Sequence, residues 1–173
     1  MHSKDTLLAA AERLFHEHGF MATGMDTLAK AAGMSSRTLY KHAGCKTDLI
    51  VAVLEAREAR FFALVDGPDV AALFAGHEAW IATEGAHGCL FLRALGETGG
   101  AEPAIAAAVL RHKARMQACI ARMVETARGR PDPELAQHIL LLFEGAVAAS
   151  AWQGAAAVRA AGRAAAQLVA RAP

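Results

Sequence analysis

The sequence predicts an all-α fold: a three-helix N-terminal head with a helix-turn-helix, followed by a helical-bundle body. Three observations carry this. Apolar residues recur every three or four positions through nearly all of the chain, the period of helices with one buried face. Of the 173 residues, 54% are hydrophobic and 20% charged, the balance of a folded core rather than a disordered chain. Alanine is abundant and aromatics make up only 6%, which favours helices that approach closely.

The first helix is expected over Ser3 to His18, with Leu8, Ala11, Leu14 and Phe15 as its stripe and Ser3 as its cap. Gly19 ends it, and Phe20 folds back as a clasp on the head's small core. In the second helix, Met25, Leu28, Ala29 and Ala32 share one apolar face. Gly33 stands where that helix must end at positive φ, which costs glycine little. Met34 turns inward. Ser35 caps the third helix by accepting from orphan N–H groups of its first turn. Leu39 holds the third helix on the second and leaves Ser36, Arg37, Tyr40 and Lys41 outward. A short helix, a glycine turn and a capped helix with a polar outer face form a helix-turn-helix pattern. The formal net charge of +1 gives no global signal for nucleic acid, so any DNA footprint is local. From Lys30 to Lys46 the charged residues are Lys30, Arg37, Lys41 and Lys46, with no acid among them.

These residues carry a resemblance. From about Thr6 to Glu55 the chain resembles the DNA-binding region of TetR-family (tetracycline-repressor-like) bacterial transcriptional regulators. The matching words are LLAAAERLFHEHGFMAT, MDTLAKAAGMSSRTLYKHAG and KTDLIVAVLE, in order and without gaps. A lone helix-turn-helix pattern is weak, but this assembly is specific. Ser36 and Arg37 are the candidates for base edges, since Arg can pair bidentately with guanine; a phosphate clamp is the alternative for Arg37. Tyr40, Lys41 and His42 are candidates for the sugar-phosphate backbone, which sets register without reading sequence. Thr23, with the free N–H groups at Gly24, is a candidate phosphate contact; a capping role only is equally open for Thr23. The resemblance makes Lys46 a phosphate contact at the start of the fourth helix. Two positions depart from the family pattern. Ala43 stands where a large aromatic is usual, which leaves a gap or requires compensation. Cys45 stands where Ser commonly caps the fourth helix, so the capping-box partner of Asp48 is expected to be lost.

The expected division is a helix-turn-helix DNA-binding domain over 1–46 and a ligand-binding and dimerisation domain over 47–173, joined by a fourth helix at about 47–66. Leu49, Val53, Ala56 and then Arg60 or Phe61 trace that helix's inner face. A helix from about Asp69 to Glu84 carries Val70, Leu73, Phe74, His77, Trp80 and Ile81. The words GCLFLRALGET resemble a subset of family bodies in which Gly-Cys-apolar-apolar opens a helix beside an effector cavity, which brings in Cys89 and Phe91. From Glu102 or Pro103 to Arg128, the residues Ile105, Val109, His112, Met116, Cys119 and Met123 form one stripe. For most of them a bundle core is the simpler reading. The functional one is that Phe61, Trp80, Cys89, Phe91, His112, Met116, Cys119, Met123 and Phe143 line a ligand cavity, with adaptable Met side chains and a polar group oriented by His112. The helix over Glu134 to Trp152 is apolar nearly all round and must be buried on more than one side. A homodimer interface is therefore expected over 134–152 and 155–171, as the resemblance implies; a helix central to its own bundle is the alternative.

Three cysteines at wide spacing, Cys45, Cys89 and Cys119, fit a reducing cytoplasm. The N-terminus has no apolar signal core, and the longest apolar run, 139–149, is broken by Glu144 and Gly145, so no membrane span is expected. There is no GxSxG, phosphate-loop, HExxH or paired-cysteine motif, and an enzyme is not expected. No cofactor or metal is expected either; His112 and Cys119 alone are too few to define a metal site. The resemblance implies a repressor that binds double-stranded DNA at a pseudo-palindromic operator as a homodimer and is released by a small-molecule effector. The competing readings are an effector-independent helix-turn-helix DNA binder and a redox-sensing regulator using Cys45.

Overall fold

The structure, a computed structural model, describes residues 3–171. Among them are nine helices and no strand: α1 Ser3–His18, α2 Met25–Ala31, α3 Ser36–Ala43, α4 Lys46–Val65, α5 Val70–Glu84, α6 Leu90–Thr98, α7 Pro103–Arg128, α8 Pro133–Gln153 and α9 Ala155–Arg171. The expected all-α fold and helix order are borne out. The ends follow local chemistry. Asp69 caps α5 by accepting from the Ala72 N–H at 2.8 Å, and Asp132 caps α8 by accepting from the Leu135 N–H at 3.0 Å. Pro133 opens α8, where a missing N–H is harmless. The side chain of Ser3, expected as a cap, lies outside the described residues.

Two compact units form. The head unit comprises the described part of Met1–Glu58 together with Leu90–Arg111; the bundle unit comprises Ala59–Cys89 and the described part of His112–Pro173. The unit holding the helix-turn-helix thus reaches beyond residue 46 and takes in α6 and the start of α7.

The head unit's small core contains Leu7, Ala11, Leu14, Phe15, Phe20, Leu28, Ala29 and Leu39. Phe20 clasps Phe15 with ring centroids 4.7 Å apart. On α1 it is Leu7 that is buried, at 1% exposure, while the expected Leu8 is only partly covered. The inner face of α4 also corrects the sequence reading. Leu49 and Val53 are buried as expected, Ala56 is half-buried, and of the two candidates that follow, Phe61 is buried as expected while Arg60 is exposed. Arg57, 5% exposed, takes the inward position. Its guanidinium donates to Glu12 of α1 at 2.6 Å, and a charged group accepts such a site only with its countercharge in reach.

The bundle unit is built on Phe61, Phe62, Leu73, Phe74, Trp80, Met116, Ile120, Met123, Ile139 and Phe143. At Gly76 two backbones approach closely. A Cβ there would sit 2.2 Å from the Leu64 carbonyl oxygen, so only glycine lets α5 lie this near the end of α4. On α8, Leu135, Ile139, Phe143 and Val147 are buried, but Leu141 is 60% and Trp152 72% exposed. Among the described residues α8 is the one helix long and apolar enough to cross a membrane, although a third of its apolar window is buried in the bundle.

Candidate nucleic-acid interface

The turn between α2 and α3 is closed by backbone bonds. The Gly33 N–H donates to Lys30 O at 3.1 Å and the Met34 N–H to Ala29 O at 3.0 Å, with Gly33 at φ +66°. This is how a glycine-terminated helix satisfies its last carbonyls. Ser35 caps α3 as predicted, accepting from the Thr38 N–H at 3.1 Å while its hydroxyl shares a 2.9 Å bond with Thr38 Oγ1. Leu39 is fully buried. With α3 fixed at its start and middle, Ser36, Arg37, Tyr40, Lys41 and His42 are exposed.

These side chains are not equivalent. Arg37 and Lys41 are exposed cations on the outer face of α3. Tyr40 is 50% exposed. The Ser36 hydroxyl donates to Asp26 Oδ1 on α2 at 3.1 Å, which leaves its oxygen as an acceptor. Asp26 also brings an acid beside a surface whose own segment, 30–46, has none.

Two expectations are corrected around the edges. Thr23 is 2% exposed, and its hydroxyl donates to the Gly19 carbonyl at 2.6 Å. It is neither open to a phosphate nor the cap of α2; the capping position is Gly24, with no side-chain bond. Cys45 does not cost α4 its capping box. The Cys45 N–H donates to Asp48 Oδ2 at 3.1 Å, and the Asp48 N–H donates to Cys45 Sγ at 3.4 Å. The thiol itself donates to Asp48 Oδ2 at 3.1 Å. A sulfur fills the hydroxyl's place, and this bond from the Cys45 thiol, followed by that from its N–H, holds the Asp48 carboxyl below the usual range. Lys46 donates from Nζ to the Met21 carbonyl at 3.2 Å, which fixes its ammonium beside the turn that leads into α2.

The residues proposed from the sequence as a ligand cavity divide between the units. Phe91 belongs to the head unit. In the bundle unit, Phe61 is the hub of a ring cluster: its centroid lies 5.2 Å from Trp80, 6.2 Å from His112 and 6.4 Å from Phe143. His77 joins at 5.9 Å from Phe61 and 5.3 Å from Phe143; the sequence placed it on the apolar side of α5 but not in the site. Met116 and Met123 are fully buried, and Cys89 is partly covered at the cluster's edge. The Cys119 thiol is pushed up by burial and then by Asp66, whose Oδ1 accepts from it at 3.5 Å. A separate cavity of about 160 Å³ lies between α7 and α8, lined by Gln117, Ala121, Asp132 and Ala136, and holds none of the expected ligand residues.

Comparison with known proteins decides the family. Residues 7–53 match the sequence profile of bacterial regulatory proteins of the tetR family, the same stretch that forms α1 to α3 and the start of α4. The TetR-family transcriptional regulator SCO4454 of Streptomyces coelicolor superposes with a TM-score of 0.87 at 24% identity, over 97% of this chain and 94% of that one. Residues 7–53 form a TetR-family head.

A putative TetR transcriptional regulator of Streptomyces avermitilis is 28% identical over 95% of this chain and 98% of its own, with a TM-score of 0.71. The HTH-type transcriptional activator FasR of Mycolicibacterium smegmatis is 45% identical over 49 residues. That match covers 28% of this chain and only 22% of FasR, so it is confined to the size of the head. In this TetR-family head the helix-turn-helix was legible from residue order. Its supports, Arg57 on Glu12 and Glu97 on the turn after α1, were not, because each joins residues far apart in sequence. An inward Glu12 beside the Ala11 stripe was the one available signal for the first.

Proposed function

We propose that this regulator binds a pseudo-palindromic DNA operator as a homodimer and that a small molecule in the bundle unit controls its occupancy. One observation carries the DNA assignment. α3 is locked by the Ser35 cap and the buried Leu39 while Arg37 and Lys41 stand outward on its opposite face. Such a helix fits the major groove. In this reading Arg37 addresses a guanine edge, and Ser36, its proton directed to Asp26, offers an acceptor to a base amino group. Tyr40, Lys41, His42, Lys46 and the backbone at Gly24 hold phosphates.

The dimer reading is supported by an uncovered apolar face. Leu141, Gly145, Ala148 and Trp152 of α8 and Leu168 of α9 are exposed, and a two-fold partner presenting the same face would cover them. The effector reading is supported by the ring cluster of Phe61, Trp80, His112 and Phe143 with its adaptable methionines. Coupling requires only that the ligand bind two states of the protein differently. The protein acts in the cytoplasm, where the genome lies, and Cys45 serves as a cap rather than a sensor. Repression is the sign proposed here. The activator FasR is 45% identical to this chain over 49 residues, and the sign depends on where the operator lies relative to the promoter.

The test is selection of operator fragments from genomic DNA, repeated with candidate ligands. Arg37→Ala is expected to weaken the selected operator by about 1–3 kcal/mol and relax specificity at one position. An operator affinity indifferent to Arg37 overturns the assignment of α3. Introducing Lys at Leu141 together with Glu at Trp152 is expected to give a monomer by light scattering; an unchanged dimer overturns the interface.

A further inference from the structure

We propose that Glu97 of α6 is a positioning residue for DNA binding: it clasps the turn after α1 and thereby places Lys46 for its phosphate contact. This rests on the DNA-binding reading above, and it adds a residue that lies outside the stretch matched by the family profile, 7–53.

The geometry is a short relay within the head unit. Glu97 Oε2 accepts from the Phe20 N–H at 2.6 Å and from the Met21 N–H at 3.1 Å. Two successive backbone donors are thus held by one carboxylate oxygen, 76 and 77 residues away in sequence. The other oxygen, Oε1, accepts from Arg93 Nε at 2.7 Å. Arg93 in turn donates to the His16 carbonyl at 2.8 Å, so the pair grips the chain on both sides of Gly19. The carbonyl of Met21, on the far side of the clasped amide, is the group that receives the Lys46 ammonium at 3.2 Å.

Gly19 fits this arrangement and little else would. Its φ is +88°, and a Cβ there would sit 2.7 Å from Glu97 Oε1, closer than non-bonded atoms approach. A second contact reaches the same place: the Thr47 hydroxyl donates to Glu102 Oε2 at 3.1 Å, in the first turn of α4 beside Lys46. Burial alone would raise the Glu97 carboxyl, but the bonds from the Met21 N–H, Arg93 and the Phe20 N–H outweigh it and hold the group below the ordinary value. The carboxylate is therefore charged whenever DNA is bound near neutral pH, and charge-assisted bonds of this kind are the stronger ones. A turn held this way carries its carbonyl, and with it the lysine, in one orientation.

A phosphate contact is independent of sequence, so a mixed-sequence DNA duplex is a sufficient probe. The experiment is a double-mutant cycle on the full chain, with binding followed by fluorescence anisotropy across a salt series. Lys46→Ala should reduce the magnitude of the slope of log K on log salt by about 0.9. Glu97→Ala should do the same, and the double variant should be no weaker than either single one. Glu97→Gln, which keeps an acceptor but loses the charge, should fall between Glu97→Ala and the wild type. A merely structural role for Glu97 would lower affinity without moving the salt slope, and its effect would multiply with that of Lys46→Ala; either result overturns the proposal. If Glu97→Ala lacks the wild-type far-UV circular dichroism, Arg93→Gln enters the same cycle with the same expectation and the same grounds for rejection. A wild-type protein that ignores the duplex at low salt would instead sink the DNA-binding reading, and the proposal with it.

Discussion

The two compact units solve the same problem with different chemistry. The head unit packs a mainly aliphatic core, with Leu28, Leu39, Leu54, Leu90 and Ile105 fully buried, and is also joined over long sequence distances by polar bonds: Arg57 to Glu12 at 2.6 Å, Glu97 to the Phe20 N–H at 2.6 Å, Thr47 to Glu102 at 3.1 Å. The bundle unit keeps its charges at the rim, as in Arg60 with Glu84 and Arg159 with Glu78, and fills its middle with rings and methionines. Hydrogen bonds have direction, whereas apolar burial is indifferent to orientation. A surface that must present Arg37 and Lys46 in register gains from the first. On the proposed function, a core that adapts to a small molecule gains from the second.

That contrast can be broken by experiment. Both tryptophans, Trp80 and Trp152, lie in the bundle unit, so fluorescence reports that unit while far-UV circular dichroism reports both. The largest effect is expected from Phe143→Ala. The side chain is 1% exposed, and its loss should cost about 3–5 kcal/mol, seen first in the fluorescence transition on urea denaturation. Next is Glu12→Leu, which removes the carboxylate facing a buried arginine and should cost on the order of 3 kcal/mol. Here the dichroism transition should move more than the fluorescence one. Combining Glu12→Leu with Arg57→Met should recover much of the loss, because an apolar pair needs no countercharge. If the double variant is as unstable as the single, the ion pair is not what the head unit requires.

Gly76→Ala should be smaller, about 1–3 kcal/mol, as a methyl meets the Leu64 carbonyl and the helices move apart; a neutral result would mean α5 has slack. The smallest effect is on the pH dependence. Asp48 and Glu97 both have carboxyls held below their ordinary values. Their contribution is present above the ordinary carboxylate range and is lost as pH falls through the lower folded values. Cys45→Ala should therefore raise the Asp48 midpoint in a carbon-detected NMR titration, and Glu97→Gln should flatten the acid limb of stability. Unchanged midpoints would remove the cap and the clasp from the account.

Much of this fold was legible one helix at a time. Gly33, Ser35 and Leu39 do what local rules require, and Pro133 and Asp132 open α8 where their chemistry allows. What was misread depended on partners. Arg60 and Arg57 both suit the face of a helix, and only Glu12 on α1 decides which turns inward. Thr23 looks like a phosphate donor until the Gly19 carbonyl takes its hydroxyl. Cys45 looks like a lost cap until its sulfur meets the Asp48 N–H. For the ligand residues, the resemblance of GCLFLRALGET to family bodies put Phe91 in one set with Phe61, although the fold assigns them to different units.

Order and type of residues determined by themselves the order of the helices, the glycine turn and the cap on α3, because these rest on interactions within a few positions. The tertiary structure alone decided the pairing of Arg57 with Glu12, the hold of Glu97 on the turn after α1, and the place of His77 among the rings. Each of those joins groups that the chain brings together only on folding, and a hydrogen bond or ion pair exists only where both partners arrive within about 3 Å.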